Sequence, residues 1–116
     1  MSIYEHNSNV LPWREAGALI ELVPLDQEGS LDFNALESLL KKYKNHNSLK
    51  LATISAGSNI TGNIVDVDRA AVLCHRYGTL ALFDYASVAP YVGINMGGVT
   101  PDLVKYHNFK PIDQKD

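Results

Sequence analysis

One cysteine, Cys74, is the whole thiol inventory of this 116-residue chain. An internal disulfide is therefore excluded, and the usage fits a reducing, cytoplasmic compartment. No apolar run approaches the ~20 residues that a membrane-spanning helix needs. Met1 to Glu5 lack a basic region followed by an apolar stretch, so no signal peptide is read there. Positive charge is scarce: Lys and Arg number 10 against 13 Asp and Glu, and the only basic cluster is Lys41, Lys42 and Lys44. Nucleic acid is therefore not an expected partner, and neither is a membrane. No Gly-x-Gly-x-x-Gly or Gly-x4-Gly-Lys-Ser/Thr occurs, so nucleotide binding lacks a motif, and Gly97-Gly98 is a loop signal only. His6, His46, His75 and His107 have no metal-ligand spacing. Neither Ser55 nor Ser58 sits in a Gly-x-Ser-x-Gly nucleophile elbow. Repeats, linkers and low-complexity segments are absent.

What is present reads as one globular unit. Hydrophobic residues make up 46% and charged residues 20%, ordinary values for a domain with one core. Asn7 to Ala16 reads as a short helix, with Pro12 either in its first turn or interrupting it. Ala18 to Leu25 reads as a strand centred on Leu19–Val23. Asp32 is placed to cap a helix reaching about Lys44, whose Leu36, Leu39, Leu40 and Tyr43 share one face. Leu49 to Ser55 is the next strand. Asp66 caps a second helix with Val67, Ala70, Ala71, Cys74 and Tyr77 on one face, and Gly78 ends it. Cys74 is thereby expected to be an inert core thiol, with His75 facing outward. Thr79 to Phe83 is a third strand, and Leu103 to Tyr106 reads as a fourth. Strand–helix alternation with apolar strands predicts a three-layer α/β fold around a mainly parallel sheet.

The stretch from Leu80 to Tyr91 carries the most chemistry. The apolar run Leu80-Ala81-Leu82-Phe83 stops at Asp84, then gives way to small and aromatic residues and Pro90. Such a strand delivers one acid to the carboxyl end of a sheet, where ligands of open α/β folds bind. A lone acid there needs a cationic partner or a metal. One such partner is the protonated ring nitrogen of a pyridoxal cofactor. The plainer alternative is an acid that caps the following turn.

Four segments, in order, resemble the class V aminotransferases, the group that contains cysteine desulfurases and selenocysteine lyases. They are Glu5-His6-Asn7-Ser8-Asn9-Val10-Leu11-Pro12-Trp13; Val23-Pro24-Leu25-Asp26 with Gly29-Ser30-Leu31-Asp32; Ser58-Asn59-Ile60-Thr61-Gly62; and the Asp84 strand. The resemblance implies the large domain of a type I pyridoxal-phosphate-dependent transferase, with pyridoxal 5'-phosphate as cofactor and an amino acid as substrate. The reaction would be transamination or β-elimination and desulfuration. It implies that Asp84 pairs with the pyridine nitrogen, that His6 stacks on the ring, and that Asn59 lies near the ring oxygen. His6 also reads as a surface histidine, and Asn59 as part of a plain turn closed by Gly62. Ser87 departs from the pattern, because many desulfurase relatives carry Gln there to bond the cofactor hydroxyl. Asp-Tyr-Ala-x-x-Pro-Tyr is more similar to another branch of the family. Lys110, eight residues after Asp102, has the spacing of the lysine that joins the cofactor covalently. The expected Ser-x-His-Lys is replaced by His107-Asn108-Phe109-Lys110, so a solvated lysine is the alternative.

The resemblance covers the middle of the family's large domain only. Residues 1–116 thus read as a partial cofactor-binding domain with a frayed tail over 111–116. The phosphate-cradling loop and the C-terminal domain have no counterpart in the sequence. Two functions are carried forward: part of a pyridoxal-phosphate enzyme, not catalytic as an isolated chain, or a non-catalytic interaction module. In the family the strand leading to Glu5-His6 lies inside the sheet, and only its tail, Ser2 to Glu5, is present. Open sheet edges then predict a homo-oligomer.

Overall fold

The computed structural model describes residues 1–58 and 60–95. Three helices and two strands follow in the order α1 (Asn7–Glu15), α2 (Phe33–Lys42), β1 (Leu51–Ser55), α3 (Val67–Arg76) and β2 (Leu80–Asp84). The helix starts obey local chemistry. Asp32 Oδ1 accepts from the N–H groups of Asn34 (2.9 Å) and Ala35 (3.0 Å), and Asp66 Oδ1 accepts from Arg69 N–H at 3.0 Å. Each aspartate satisfies donors that the first helical turn leaves open. Gly78, at φ +67°, ends α3 in the left-handed conformation that other residues rarely adopt. Pro12 lies inside α1.

β1 and β2 pair in parallel, from Leu51 opposite Leu80 to Ser55 opposite Asp84. The crossover between them is α3, as parallel pairing requires. One sheet face packs on α2 and α3: Ala52 and Ile54 are buried with Leu36, Leu40, Ala70 and Cys74, and Ala81 and Phe83 pack against them. The other face holds α1, through a hydrogen bond from Thr53 Oγ1 to Asn9 Oδ1 at 2.7 Å. The result is a helix–sheet–helix α/β arrangement, as the sequence predicts. Burial pushes the Cys74 thiol up to about 12, in keeping with an inert core position. Among the described residues, no helix is long and apolar enough to cross a membrane.

The expected strand over Leu19–Val23 does not form. Only Val23 pairs, in a single parallel bridge to Ser2, while Leu19 and Leu22 are 81% and 54% exposed. Strand-like apolar sequence is not enough without a neighbour that answers its backbone groups. Beside Leu19 to Glu21 there is instead a cavity of about 430 Å³, bounded on its far side by Leu49 to Thr53. The suggested strand over Leu103 to Tyr106 lies outside the described residues.

Candidate functional site

The carboxyl ends of β1 and β2 build the site. Asp84 is the last residue of β2 and is half-buried. Its Oδ1 accepts from Ala86 N–H at 2.8 Å, and its backbone carbonyl accepts from Ala56 N–H at 2.8 Å. Among the described residues no cation forms an ion pair with the carboxylate. Ser87 follows in the turn, and its hydroxyl donates to Gly57 C=O at 2.8 Å. The turn after β2 is thereby tied back to the end of β1 at two points.

Gly57 allows that closeness. A Cβ there would lie 2.4 Å from Val88 Cγ1. Beyond it, Ser58 organises the next turn. Its Oγ accepts from the N–H groups of Ile60 and Thr61, both at 3.2 Å, and Gly62 N–H bonds back to Ser58 C=O at 2.9 Å. Gly62 has φ +74° and open space around its missing Cβ, so backbone conformation is what requires glycine there.

His6 reaches the same end of the sheet by another route. It is the N-cap of α1, and its Nδ1 accepts from Ser8 N–H at 3.2 Å. In the neutral ring that bond leaves the proton on Nε2. The ring itself is exposed. Its neighbour Glu5 does the positioning. Glu5 Oε1 accepts from Ser55 N–H (2.8 Å) and from Ser2 Oγ, while Oε2 accepts from Asn9 Nδ2 (2.7 Å) and Ser55 Oγ (2.8 Å). Asn9 Oδ1 in turn accepts from Thr53 Oγ1 (2.7 Å) and Trp13 Nε1 (3.4 Å). One carboxylate with four donors thus fixes the start of α1 on Ser55, the residue in register with Asp84.

The structure therefore brings His6, Asp84 and Ser87 to one end of the sheet. Asn59 and Lys110 lie outside the described residues. The Glu5–Asn9–Ser55–Thr53 network was not singled out from the sequence. The available signal was Thr53 and Ser55, two polar residues at alternating positions of an otherwise apolar strand. His6, Asp84 and Ser87 do not line the 430 Å³ cavity, which sits beside the upstream part of β1. Among the described residues no group of His, Cys, Asp and Glu is arranged to hold a metal.

Comparison with known proteins agrees with the family resemblance. The chain is 32% identical over 110 residues to a probable cysteine desulfurase of Chlamydia muridarum, covering 91% of this chain and 26% of that relative. It is 30% identical over 110 residues to a probable cysteine desulfurase of Mycolicibacterium paratuberculosis, covering 91% of this chain and 15% of that protein. A probable cysteine desulfurase of Halalkalibacterium halodurans is 28% identical over the same length, again with 26% of the relative covered. The chain thus spans about a quarter or less of the curated relatives it matches. Residues 1–107 match the family described as aminotransferase class-V, and the chain belongs to that family.

Proposed function

We propose that this chain forms part of the cofactor platform of a pyridoxal-phosphate-dependent class V enzyme acting on amino acids, with Asp84 as the partner of the ring nitrogen. The observation that carries the reading is the Asp84 carboxylate. It stands at the carboxyl end of a parallel strand, where ligands of such sheets bind. One oxygen is fixed by Ala86 N–H, and no cation among the described residues answers the charge. A protonated pyridine nitrogen supplies the missing donor and positive charge, so the residues fit the group.

When bound, the protonated cofactor draws electrons from the substrate α-carbon. The chain's own part is to hold and orient. Asp84 keeps the proton on the ring nitrogen by its negative charge. His6 offers an exposed flat ring, steadied through Nδ1 and the Glu5 clamp. Ser87 has spent its hydroxyl hydrogen on Gly57 C=O, so toward a cofactor hydroxyl it can only accept. Asn59 near the ring oxygen and Lys110 as the covalent anchor are assigned by the resemblance. Transamination, or the desulfuration named for the relatives, is the proposed reaction class, in a cytoplasmic setting.

The test is a titration of the isotopically labelled chain with pyridoxal phosphate, followed by NMR. Weak binding is expected, with shifts confined to His6, Asn59, Ala86, Ser87 and Lys110 and lost in Asp84→Ala. Shifts confined to other residues, or unchanged shifts in the variant, would remove Asp84 from the role. Tight binding with a cofactor absorbance band that disappears in Lys110→Ala would show the isolated chain to be a complete covalent site rather than one part of a larger platform.

A second reading, a non-catalytic self-associating module, draws on Leu80 and Leu82. Both lie on one face of β2 and are 53% and 42% exposed, where a parallel sheet normally has a covering layer.

A further inference from the structure

The tripeptide His-Asn-Ser occurs twice, at His6-Asn7-Ser8 and at His46-Asn47-Ser48. In both copies the histidine Nδ1 accepts from the backbone N–H of the serine, at 3.2 Å from Ser8 and 3.4 Å from Ser48. All six residues are exposed. The copies thus share sequence, exposure and hydrogen bond, and differ in backbone setting. Asn7 is the first residue of α1, whereas Asn47 lies in the connection between α2 and β1, outside any helix or strand.

An asparagine followed by a small residue carries its own electrophile. The next backbone nitrogen can attack the side-chain Cγ once it gives up its proton. That step needs a base on the N–H and a backbone able to bring nitrogen and Cγ together. A neutral imidazole that accepts through Nδ1 carries its own proton on Nε2, and is aimed at the proton that must leave. At Asn47 this base is held from two sides. Lys50 Nζ donates to His46 C=O at 3.3 Å, and the His46 ring meets Tyr43 edge-on with centroids 6.1 Å apart. Among the described residues no hydrogen bond holds the Asn47 side chain. At Asn7 the backbone fails the second requirement. A helical residue is held at ψ of about −42°. The start of α1 is also fixed twice, by Asn9 N–H donating to His6 C=O (2.8 Å) and by Asn9 Nδ2 donating to the Glu5 carboxylate (2.7 Å). Swinging the Ser8 nitrogen onto Asn7 Cγ would break that first turn.

We propose that Asn47 is a site of spontaneous covalent modification with His46 as its general base, and that Asn7 is the protected copy. Ser48 N–H passes its proton to His46 Nδ1 as the bond from Ser48 N to Asn47 Cγ forms. The Cγ–Nδ2 bond then breaks, and His46 returns the proton to the departing nitrogen, which leaves as ammonia. Water opens the resulting succinimide at either carbonyl, giving aspartate or isoaspartate. No electrons are gained or lost. The site lies under a clamp: Lys50 Nζ donates to the C=O groups of Tyr43 (3.3 Å), Lys44 (3.1 Å) and His46, all of which precede Asn47. Isoaspartate adds a backbone carbon inside that clamp, and both products add a carboxylate three residues from the clamping ammonium.

The test is to age the full chain at neutral pH, digest it with trypsin and follow amide-to-acid conversion by mass spectrometry. Cleavage leaves Asn45 to Lys50 as one peptide and Met1 to Arg14 as another, so the two copies are read separately. In the folded chain Asn47 should convert at least tenfold faster than Asn7, and in urea the two rates should converge. His46→Gln keeps an acceptor for Ser48 N–H but not a base. It should slow Asn47 about tenfold and leave Asn7 and the circular dichroism spectrum unchanged. A Gln variant as fast as the parent would overturn His46 as the base. Equal rates at Asn7 and Asn47 in the folded chain would overturn protection by α1, and a difference that persists in urea would place its cause in the flanking sequence and do the same. No conversion at Asn47 would overturn the site.

Discussion

Replacing Gly57 by alanine tests the junction on which the candidate site rests. The added Cβ would lie 2.4 Å from Val88 Cγ1, 3.3 Å from Asn63 C=O and 3.5 Å from Val88 Cβ. Carbon atoms in contact prefer ~3.5–4.0 Å, so Val88 must retreat by about 1 Å. Val88 is buried, and a β-branched side chain has little rotamer freedom with which to do so. The backbone turn must move instead, at a cost of about 1–3 kcal/mol for overpacking. Val88→Ala alone removes two methyl-sized groups, about 1.6 kcal/mol at ~0.8 each. It also removes the clashing atom. The double variant should therefore be close in stability to Val88→Ala, leaving a coupling of about 1–3 kcal/mol between the two changes. Urea denaturation followed by circular dichroism measures all four corners of the cycle. Independent sites add within ~0.3–0.5 kcal/mol, so additivity at that level would refute the contact. Gly57 C=O also receives the Ser87 hydroxyl, so the Ser87 and Ala86 amide signals should shift in Gly57→Ala and return in the double variant.

Three other outcomes are expected. Glu5→Gln replaces an acceptor oxygen by an NH2 group, strands donors on Ser55 or Asn9, and should cost about 1–3 kcal/mol in denaturant titration, with faster exchange of the Ser55 amide. Cys74 should resist a thiol-reactive disulfide reagent at pH 8 until the chain unfolds. Its folded pKa of about 12 lies above the ordinary 9.0, so the stability it supports is complete below about 9.0 and is lost as pH rises toward 12. Leu82→Lys, on the exposed face of β2, should reduce self-association in sedimentation runs more than it reduces helix content, whereas an unchanged monomer fraction would argue against association through that strand.

The helices were legible because their signals are local. Asp32 and Asp66 each bond N–H groups two or three residues away, and Leu36, Leu40, Ala70 and Cys74 repeat at helical spacing. β1 was legible as the run Leu49 to Ser55, and β2 as the apolar run between Gly78 and Asp84. Leu19–Leu22 misled because strand propensity describes a residue that has neighbours, and among the described residues the bridge beside this segment reaches Val23 and none of Leu19–Leu22. The Glu5 clamp was hidden for a related reason: its partner Ser55 is 50 residues away, and no local pattern encodes that meeting. Of the candidate site, Asp84 was legible as the abrupt end of an apolar strand. The role of Ser87 in closing the turn on Gly57 depends on a contact across 30 residues and was not.

Register then gives the sheet face under α1 a direction. In β1 that face reads Leu51, Thr53, Ser55, and in β2 it reads Leu80, Leu82, Asp84. Both strands begin apolar and end polar, and in parallel pairing the two gradients add rather than cancel. The upstream half of the face therefore favours apolar cover, while the downstream half can hold charge only where donors are supplied. Glu5 supplies the link between the halves. Its carboxylate is itself a negative group on the polar end, tolerated because four donors surround it. Asp84, one strand over, receives only one donor among the described residues. Two acids at the same sheet end thus differ in their donors, four for Glu5 and one among the described residues for Asp84, and that contrast, more than the presence of an acid at a strand end, is what the proposed role of Asp84 rests on.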